Sequence, residues 1–275
     1  PGFPAHPHRG FETVTVVREG LIDHSDSLGA TARFGGGDVQ WLTAGRGIVH
    51  AEMFPLLQRD RENRLELFQI WLNLPASFKM FWSEQVPHHH FDDANGARTT
   101  VTSIAGAVRG ADGRTAPTPP PDSWASQAQS DIAIWTLSMA PGARWTLPVA
   151  SGKATRRSLY FFEGQSMSVG GLLVDRHAGL EVVCDRDIEL VNGNQSAQML
   201  MLQGKPIAEP VAQYGPFVMN TQAEIQQAFA DYQHSRFGGW PWPDDAPVHG
   251  REPRRFATHP DGRSERLQMQ NANQE

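Results

Sequence analysis

The residues best suited to chemistry stand in two short pairs, His6-Pro7-His8 and His50-Ala51-Glu52. Each pair sets potential metal ligands two positions apart. In an extended strand, alternate side chains share a face. His6 and His8 therefore point one way, as do His50 and Glu52, while Pro7 and Ala51 face away and bring no donor. If two such strands face each other across a small barrel, three imidazoles and one carboxylate converge on one point. That donor set suits a divalent Fe, Mn, Ni, Cu or Zn ion, and ligand softness alone does not choose among them. Four protein ligands on an octahedral ion leave open positions, which admit an anionic oxygen substrate together with water or O2.

Other polar groups carry less. His88-His89-His90 follows Pro87 and reads as an exposed loop, because neighbouring strand residues cannot all face one metal. His24, near Asp23 and Asp26, reads as a surface strand end. His177, His234, His249 and His259 stand alone and read as solvated or structural. Glu12 comes four residues after His8 and so falls on the same strand face. It is either a fifth ligand or, the favoured reading, a carboxylate that holds a histidine in place. Arg46, between two glycines, either pairs with a carboxylate or lies on the surface. Cys184 reads as a small buried residue. Gly35-Gly36-Gly37 is a turn rather than a phosphate loop, since neither Lys-Ser/Thr nor a helix follows. No Ser/His/Asp arrangement has local support.

The elements that must position these ligands are short strands. Phe11–Val17 is rich in β-branched residues and is bounded by Gly20. Val39–Thr43 and Ile48–Met53 are set off by glycine turns, and Leu65–Leu74 alternates two faces. Ala105–Ala125 holds four prolines and reads as a linker. A second run of short strands follows, between Ile132 and Leu202. Thr221 and Glu224 form a capping box ahead of an apolar stripe at Ile225, Phe229 and Tyr232, which predicts one helix. The reading is all-β: two barrels in tandem with a C-terminal helix. Residues 1–104 make the first, 105–130 the linker, 131–215 the second, 216–243 the helical region and 244–275 an irregular tail.

Composition sets the outer limits. The 275 residues suffice for one large or two ordinary domains. A net charge of -6 argues against nucleic acid as a direct ligand. No apolar run reaches the ~18 residues of a spanning helix, so no membrane partner is expected. One cysteine excludes an intrachain disulfide and a Cys-based zinc site, and suits a reducing, cytoplasmic compartment.

Pro7–Gly20 (PHRGFETVTVVREG) resembles the first motif of the cupin superfamily. Gly37–Met53 (GDVQWLTAGRGIVHAEM) resembles the second motif in its pirin form, with Ala44 where the general motif has proline. Tyr214–Thr221 (YGPFVMNT) is similar to the pirin C-terminal region. The resemblance implies a bicupin, usually monomeric, whose first barrel holds one iron through His6, His8, His50 and Glu52. It implies that Glu12 is not a ligand, that the second barrel is metal-free, and that the family's opening strands lie ahead of Pro1. Two functions follow from it. One is that of a quercetin 2,3-dioxygenase, which cleaves a flavonol with O2 and releases carbon monoxide. Glu52 would then take the substrate's hydroxyl proton, with Phe3 and Met53 walling the pocket. The alternative is a regulatory protein with a protein partner, in which the oxidation state of the iron switches a surface.

Overall fold

A computed structural model describes residues 1–73, 78–152 and 154–267. Leu74, the last residue of one expected strand, and 268–275 of the expected tail lie outside the described residues. The chain divides into two compact units. One comprises Pro1–Ser83, Pro120–Trp124 and the chain from Glu209 onward; the other comprises Glu84–Pro119 and Ala125–Ala208.

The first unit begins with eight strands. They are β1 (Gly2–His8), β2 (Phe11–Glu19), β3 (Leu21–Asp26), β4 (Thr31–Gly35), β5 (Val39–Thr43), β6 (Ile48–Met53), β7 (Glu66–Asn73) and β8 (Phe78–Phe81). They make two antiparallel sheets, one ordered β7-β2-β5-β8 and the other running β1-β6-β3-β4. Pro4 and Pro7 sit on β1, which among the described residues is an edge strand paired with β6, so their missing N–H groups break no inner ladder. Gly10 separates β1 from β2 with φ +88, and a Cβ there would lie 1.8 Å from the Val218 carbonyl oxygen. Only glycine combines that dihedral with that approach. The turn it makes also sends β2 into the other sheet. Val17, Ile22, Phe34, Met80 and Trp82 form the apolar centre between the sheets.

The second unit adds β9 (His88–Asp92), β10 (Arg98–Ala105), β11 (Ala133–Met139), β12 (Arg144–Leu147), β13 (Arg156–Glu163), β14 (Met167–Val169), β15 (Leu172–Val174), β16 (Ala178–Glu181), β17 (Ile188–Asn192) and β18 (Ala197–Gly204). Its sheets run β16-β13-β18-β11-β10-β9 and β12-β17-β14-β15. Trp135, Leu137, Leu159, Phe161, Leu190, Met199 and Met201 fill the interior. Each such side chain contributes roughly 1.5–3 kcal/mol by leaving water.

The chain then returns to the first unit. Strands β19 (Ala212–Tyr214) and β20 (Phe217–Met219) lead into α1 (Gln222–Ser235). Thr221 Oγ1 accepts from Glu224 N at 3.2 Å while the Glu224 carboxylate accepts from Thr221 N at 2.8 Å, the expected capping box. Ile225 and Ala228 are buried, and the Phe229 ring meets Phe217 edge-on at 4.8 Å. Among the described residues no helix is long and apolar enough to cross a membrane.

Three expectations differ from this structure. Residues 99–104 do not close the first barrel: β10 pairs with β9 and β11 in the second unit. The linker is split, because Pro120–Trp124 belongs to the first unit, where Ser123 Oγ donates to Glu12 at 2.6 Å. The tail is not irregular throughout. It carries β21 (Arg255–Thr258) and β22 (Ser264–Leu267), and β21 pairs with β4. Charge rather than apolar alternation docks it. Arg255 Nη1 donates to Asp38 at 2.7 Å, and the fully buried Arg33, held bidentately by Asp23, donates to the Gly250 and Glu252 carbonyls. Removing one partner of such a buried pair costs roughly 3–5 kcal/mol.

Candidate metal centre

The site is built on the β1–β6 ladder, where His6 lies opposite His50 and His8 opposite Ile48. Alternation then turns all three rings to one side. The candidate ligand nitrogens of His6, His8 and His50 all lie within 4.8 Å of one another. Two of them, His6 Nε2 and His8 Nε2, are 3.1 Å apart. Each of these rings has its Nδ1 against a carbonyl, His6 on Pro4 at 2.8 Å and His8 on Pro216 at 3.4 Å. An Nδ1–H donating there leaves the Nε2 lone pair facing the cluster.

Burial sets the protonation state. His8 and His50 are 4 % and 0 % exposed. Desolvation, then the charge of His6, pushes the His8 ring down to about 3. Burial and the neighbouring rings hold His50 well below the ordinary histidine range. At neutral pH both are uncharged and carry lone pairs, the form that ligates a metal. Both ring nitrogens of His50 are buried with no hydrogen-bond partner among the described residues. An orphaned buried polar atom costs roughly 1–3 kcal/mol. A cation among the three rings removes that penalty for the nitrogen facing it, so the residues fit a divalent metal.

Glu52 adjoins the cluster without closing on it. Its Oε2 is 4.0 Å from His50 Nε2. It accepts from Gln69 Nε2 at 2.7 Å on Oε2 and from Thr15 Oγ1 at 3.3 Å on Oε1. The β2 register explains both contacts. Thr15 lies opposite Gln40 on β5 and Gln69 on β7, so the three side chains form one polar row on one sheet face. Gln40 is fully buried, and neither atom of its amide has a partner among the described residues. Thr15, Gln40 and Gln69 escaped the sequence reading because none is a metal-ligand type. Only the cross-strand register sets them beside Glu52. Phe11 and Trp71 stack at 4.2 Å and flank His8, and Phe3 meets His6 edge-on at 6.3 Å. Phe3 itself is more than half exposed, while Met53 is buried.

Several other expectations change. His24 is not at the surface: it is fully buried on β3, opposite Glu52. Its Nε2 lies 3.2 Å from Asp26 Oδ2, and its ring centre is 5.6 Å from that of His50. A strand flanked on both sides buries such a residue, which no local sequence signal reveals. Glu12 holds no histidine. The turn at Gly10 takes it to the other sheet, where it accepts from Trp41 Nε1 at 3.1 Å, Thr43 Oγ1 at 2.9 Å and Ser123 Oγ at 2.6 Å. Burial pushes its carboxyl upward against those three donors.

His88–His90 is strand rather than loop, with His88 and His90 exposed and His89 buried. His89 Nδ1 is 3.1 Å from Asp112 Oδ1 and its Nε2 is 3.2 Å from Ser103 Oγ, a hydrolase-like chain that the sequence did not announce. Ser103 is fully buried, so a substrate cannot reach its hydroxyl. His249 and His259 are structural, bonded to the His24 carbonyl at 2.7 Å and to Glu265 at 2.7 Å. His177, His234 and Arg46 are exposed, and Cys184 is only half-buried.

Known proteins resemble this chain along most of its length. The Pirin family profile matches residues 1–72, and that of the pirin C-terminal cupin domain matches residues 134–238. This chain belongs to the pirin family. Its two barrels are accordingly cupin domains, the second matched as such. A pirin-like protein of Caulobacter vibrioides is 35% identical over 243 residues, covering 86% of this chain and 80% of its own. A Pseudomonas aeruginosa relative, provisionally named a quercetin 2,3-dioxygenase, is 37% identical over 239 residues, covering 86% of this chain and 79% of its own. The solved quercetin 2,3-dioxygenase of Acinetobacter baumannii superposes with a TM-score of 0.73 at 29% identity, covering 86% of this chain and 80% of that chain.

Proposed function

We propose that this pirin-family protein is a metal-dependent dioxygenase of the quercetin 2,3-dioxygenase type. In this reading His6, His8, His50 and Glu52 hold one divalent metal, iron first, with Mn, Ni, Cu or Zn able to take the same donors. The observation that carries it is His50: a fully buried neutral imidazole, with no partner for either nitrogen, beside two more imidazoles and a carboxylate. A stabilising structural role would pair those nitrogens within the protein. The names of the similar Pseudomonas and Acinetobacter proteins supply the substrate class, a flavonol.

When bound, the metal supplies Lewis acidity that lowers the pKa of a coordinated oxygen. The chain's own residues do the rest. Glu52 is the group that takes the flavonol 3-hydroxyl proton, at Oε1 or Oε2. Gln69 and Thr15 fix its carboxylate from the polar row. Gln40, fully buried in the same polar row, has no partner for its amide among the described residues. The Phe11–Trp71 stack gives the flat ring an apolar wall that excludes water. Over the reaction both O2 oxygen atoms enter the product and one ring carbon leaves as carbon monoxide.

The test is aerobic incubation of protein with measured metal content and quercetin, following loss of the flavonol absorbance and release of carbon monoxide. Turnover is expected, and Glu52→Gln is expected to slow it about 100-fold or more, within the range of general-base effects. No turnover at full occupancy with Fe, Mn, Ni or Cu overturns the reading.

A further inference from the structure

The second unit carries a cavity of about 420 Å³ that the proposed chemistry does not use. Its lining includes Trp135, Arg157, Gln203, Asp131, Val108 and Val149, all from the second unit. The strand register explains how a charge comes to be there. On β18, Gln203 lies opposite Ala133 on β11 and Arg157 on β13, while Met201 lies opposite Trp135 and Leu159. Gln203 and Met201 are two apart, so Arg157 and Trp135 share the face that packs the apolar interior. A guanidinium therefore stands one row from Leu159, Met201 and Trp135, at 3 % exposure.

Its hydrogen bonds are only partly made. Arg157 Nε and Nη2 both donate to Gln203 Oε1, at 2.9 and 2.5 Å. Gln203 Nε2 in turn donates to the Asp131 carbonyl at 3.0 Å, which fixes the fork. Arg157 Nη1 is buried with no partner among the described residues, and so is Trp135 Nε1. Native proteins pair nearly all buried donors, and cationic ones above all. Two unanswered N–H groups on residues that line one cavity are the mark of a site whose acceptor comes from a ligand.

The charges around the cavity define that ligand. Among the described residues that line it, Arg157 and the exposed Arg109 stand against one carboxylate, Asp131, leaving one net positive charge. Asp131 Oδ2 is already engaged by Gly152 N at 2.9 Å and Thr155 Oγ1 at 2.5 Å. Cys184 also lies near enough to Arg157 to act on its charge, and burial raises its thiol pKa, so it stays neutral. Three N–H bonds remain to be given, two from Nη1 and one from Trp135. A singly charged, planar carboxylate accepts them; a phosphate would bring a second negative charge towards Asp131. Val108, Ala133, Pro148 and Val149 give the rest of the molecule an apolar berth.

We propose that the second barrel binds a small organic carboxylate, with its carboxylate on Arg157 Nη1 and Trp135 Nε1 and its apolar body along Val108 and Val149. The site is independent of the metal centre.

Calorimetric titration of the full-length, metal-loaded protein with benzoate tests it, with neutral benzamide and inorganic phosphate as the other probes. One benzoate per chain is expected, with benzamide and phosphate each at least tenfold weaker. Arg157→Gln should abolish the binding, and Trp135→Phe, which keeps the ring and removes only the N–H, should weaken it about tenfold. Should Arg157→Gln fail to fold by circular dichroism, Trp135→Phe and the benzamide contrast decide alone. His8→Ala should retain full benzoate affinity. No saturable benzoate binding, phosphate binding as tight as benzoate, or loss with His8→Ala but not with Trp135→Phe overturns the proposal.

Discussion

His50 and His89 are both buried imidazoles on strands, and they differ in what their ring nitrogens meet. His89 has Asp112 on one side and Ser103 on the other, at 3.1 and 3.2 Å. Among the described residues His50 has no hydrogen-bond partner on either nitrogen, and the rings of His6, His8 and His24 stand nearby. The first is a completed network whose energy is already realised in the fold. The second is an incomplete one, destabilising until something electron-poor arrives. Burial alone says nothing of function; what separates the two is whether the lone pairs are spent. The same test separates the Asp23–Arg33 pair, fully answered, from Arg157, which has one nitrogen left over.

The comparison breaks most sharply under paired substitutions. His50→Ala should drop metal content from about one ion per chain to below about a tenth, measured by elemental analysis. His89→Ala should leave metal content unchanged and instead lower unfolding free energy by roughly 1–3 kcal/mol, read by denaturant melts, since Asp112 and Ser103 lose their partner. Metal retained by His50→Ala would refute the distinction.

Gln69→Leu comes next. It strips the 2.7 Å bond from Glu52 while leaving all three imidazoles in place. Loss of such a supporting bond typically weakens metal binding about 10–100-fold, which a competition titration with a chelator resolves.

Acid sharpens the contrast further. His8 is pushed from 6.5 to about 3, so between those values the unfolded chain binds a proton that the folded chain refuses. Stability therefore falls as pH drops from 6.5 towards 3 and is unaffected by this group above 6.5, with a slope near 1.4 kcal/mol per pH unit. Denaturant melts of metal-free protein at a series of pH values should show that slope reduced in His8→Phe. An unchanged slope would mean that His8 is not the group titrating. The smallest expected effect is that of Thr15→Val, a few-fold weakening of metal binding, because its 3.3 Å bond to Glu52 is long and neutral at the donor.

Much of this was legible in the sequence, and the failures have a common cause. The alternation rule brought His6, His8 and His50 together, with Glu52 adjoining them, because it needs only local geometry and one strand pairing. The capping box fixed the start of α1 for the same reason. What escaped depends on distant partners. His24 looks like a polar strand end until β4 and β6 flank it. Glu12 shares a face with His8 only if no turn intervenes, and Gly10 makes one. The β21–β22 hairpin lacks an apolar rhythm because Arg33 and Arg255 dock it by charge. Gln69 becomes meaningful only when β7 is laid against β2.

The return of the chain to its first unit has a consequence for how the protein is made. Asp38 and Arg255 are 217 residues apart, and the open edge of β4 is covered only by β21. At about 5–20 residues per second, a ribosome needs roughly 10–40 s to deliver the second partner after the first. For that interval the nascent first barrel carries Arg33, Asp23 and Asp38 without their final contacts and an exposed strand edge. The second barrel, contiguous from β9 to β18 but for a five-residue excursion at Pro120–Trp124, meets no such delay. In the order of synthesis, the barrel encoded first is the one completed last.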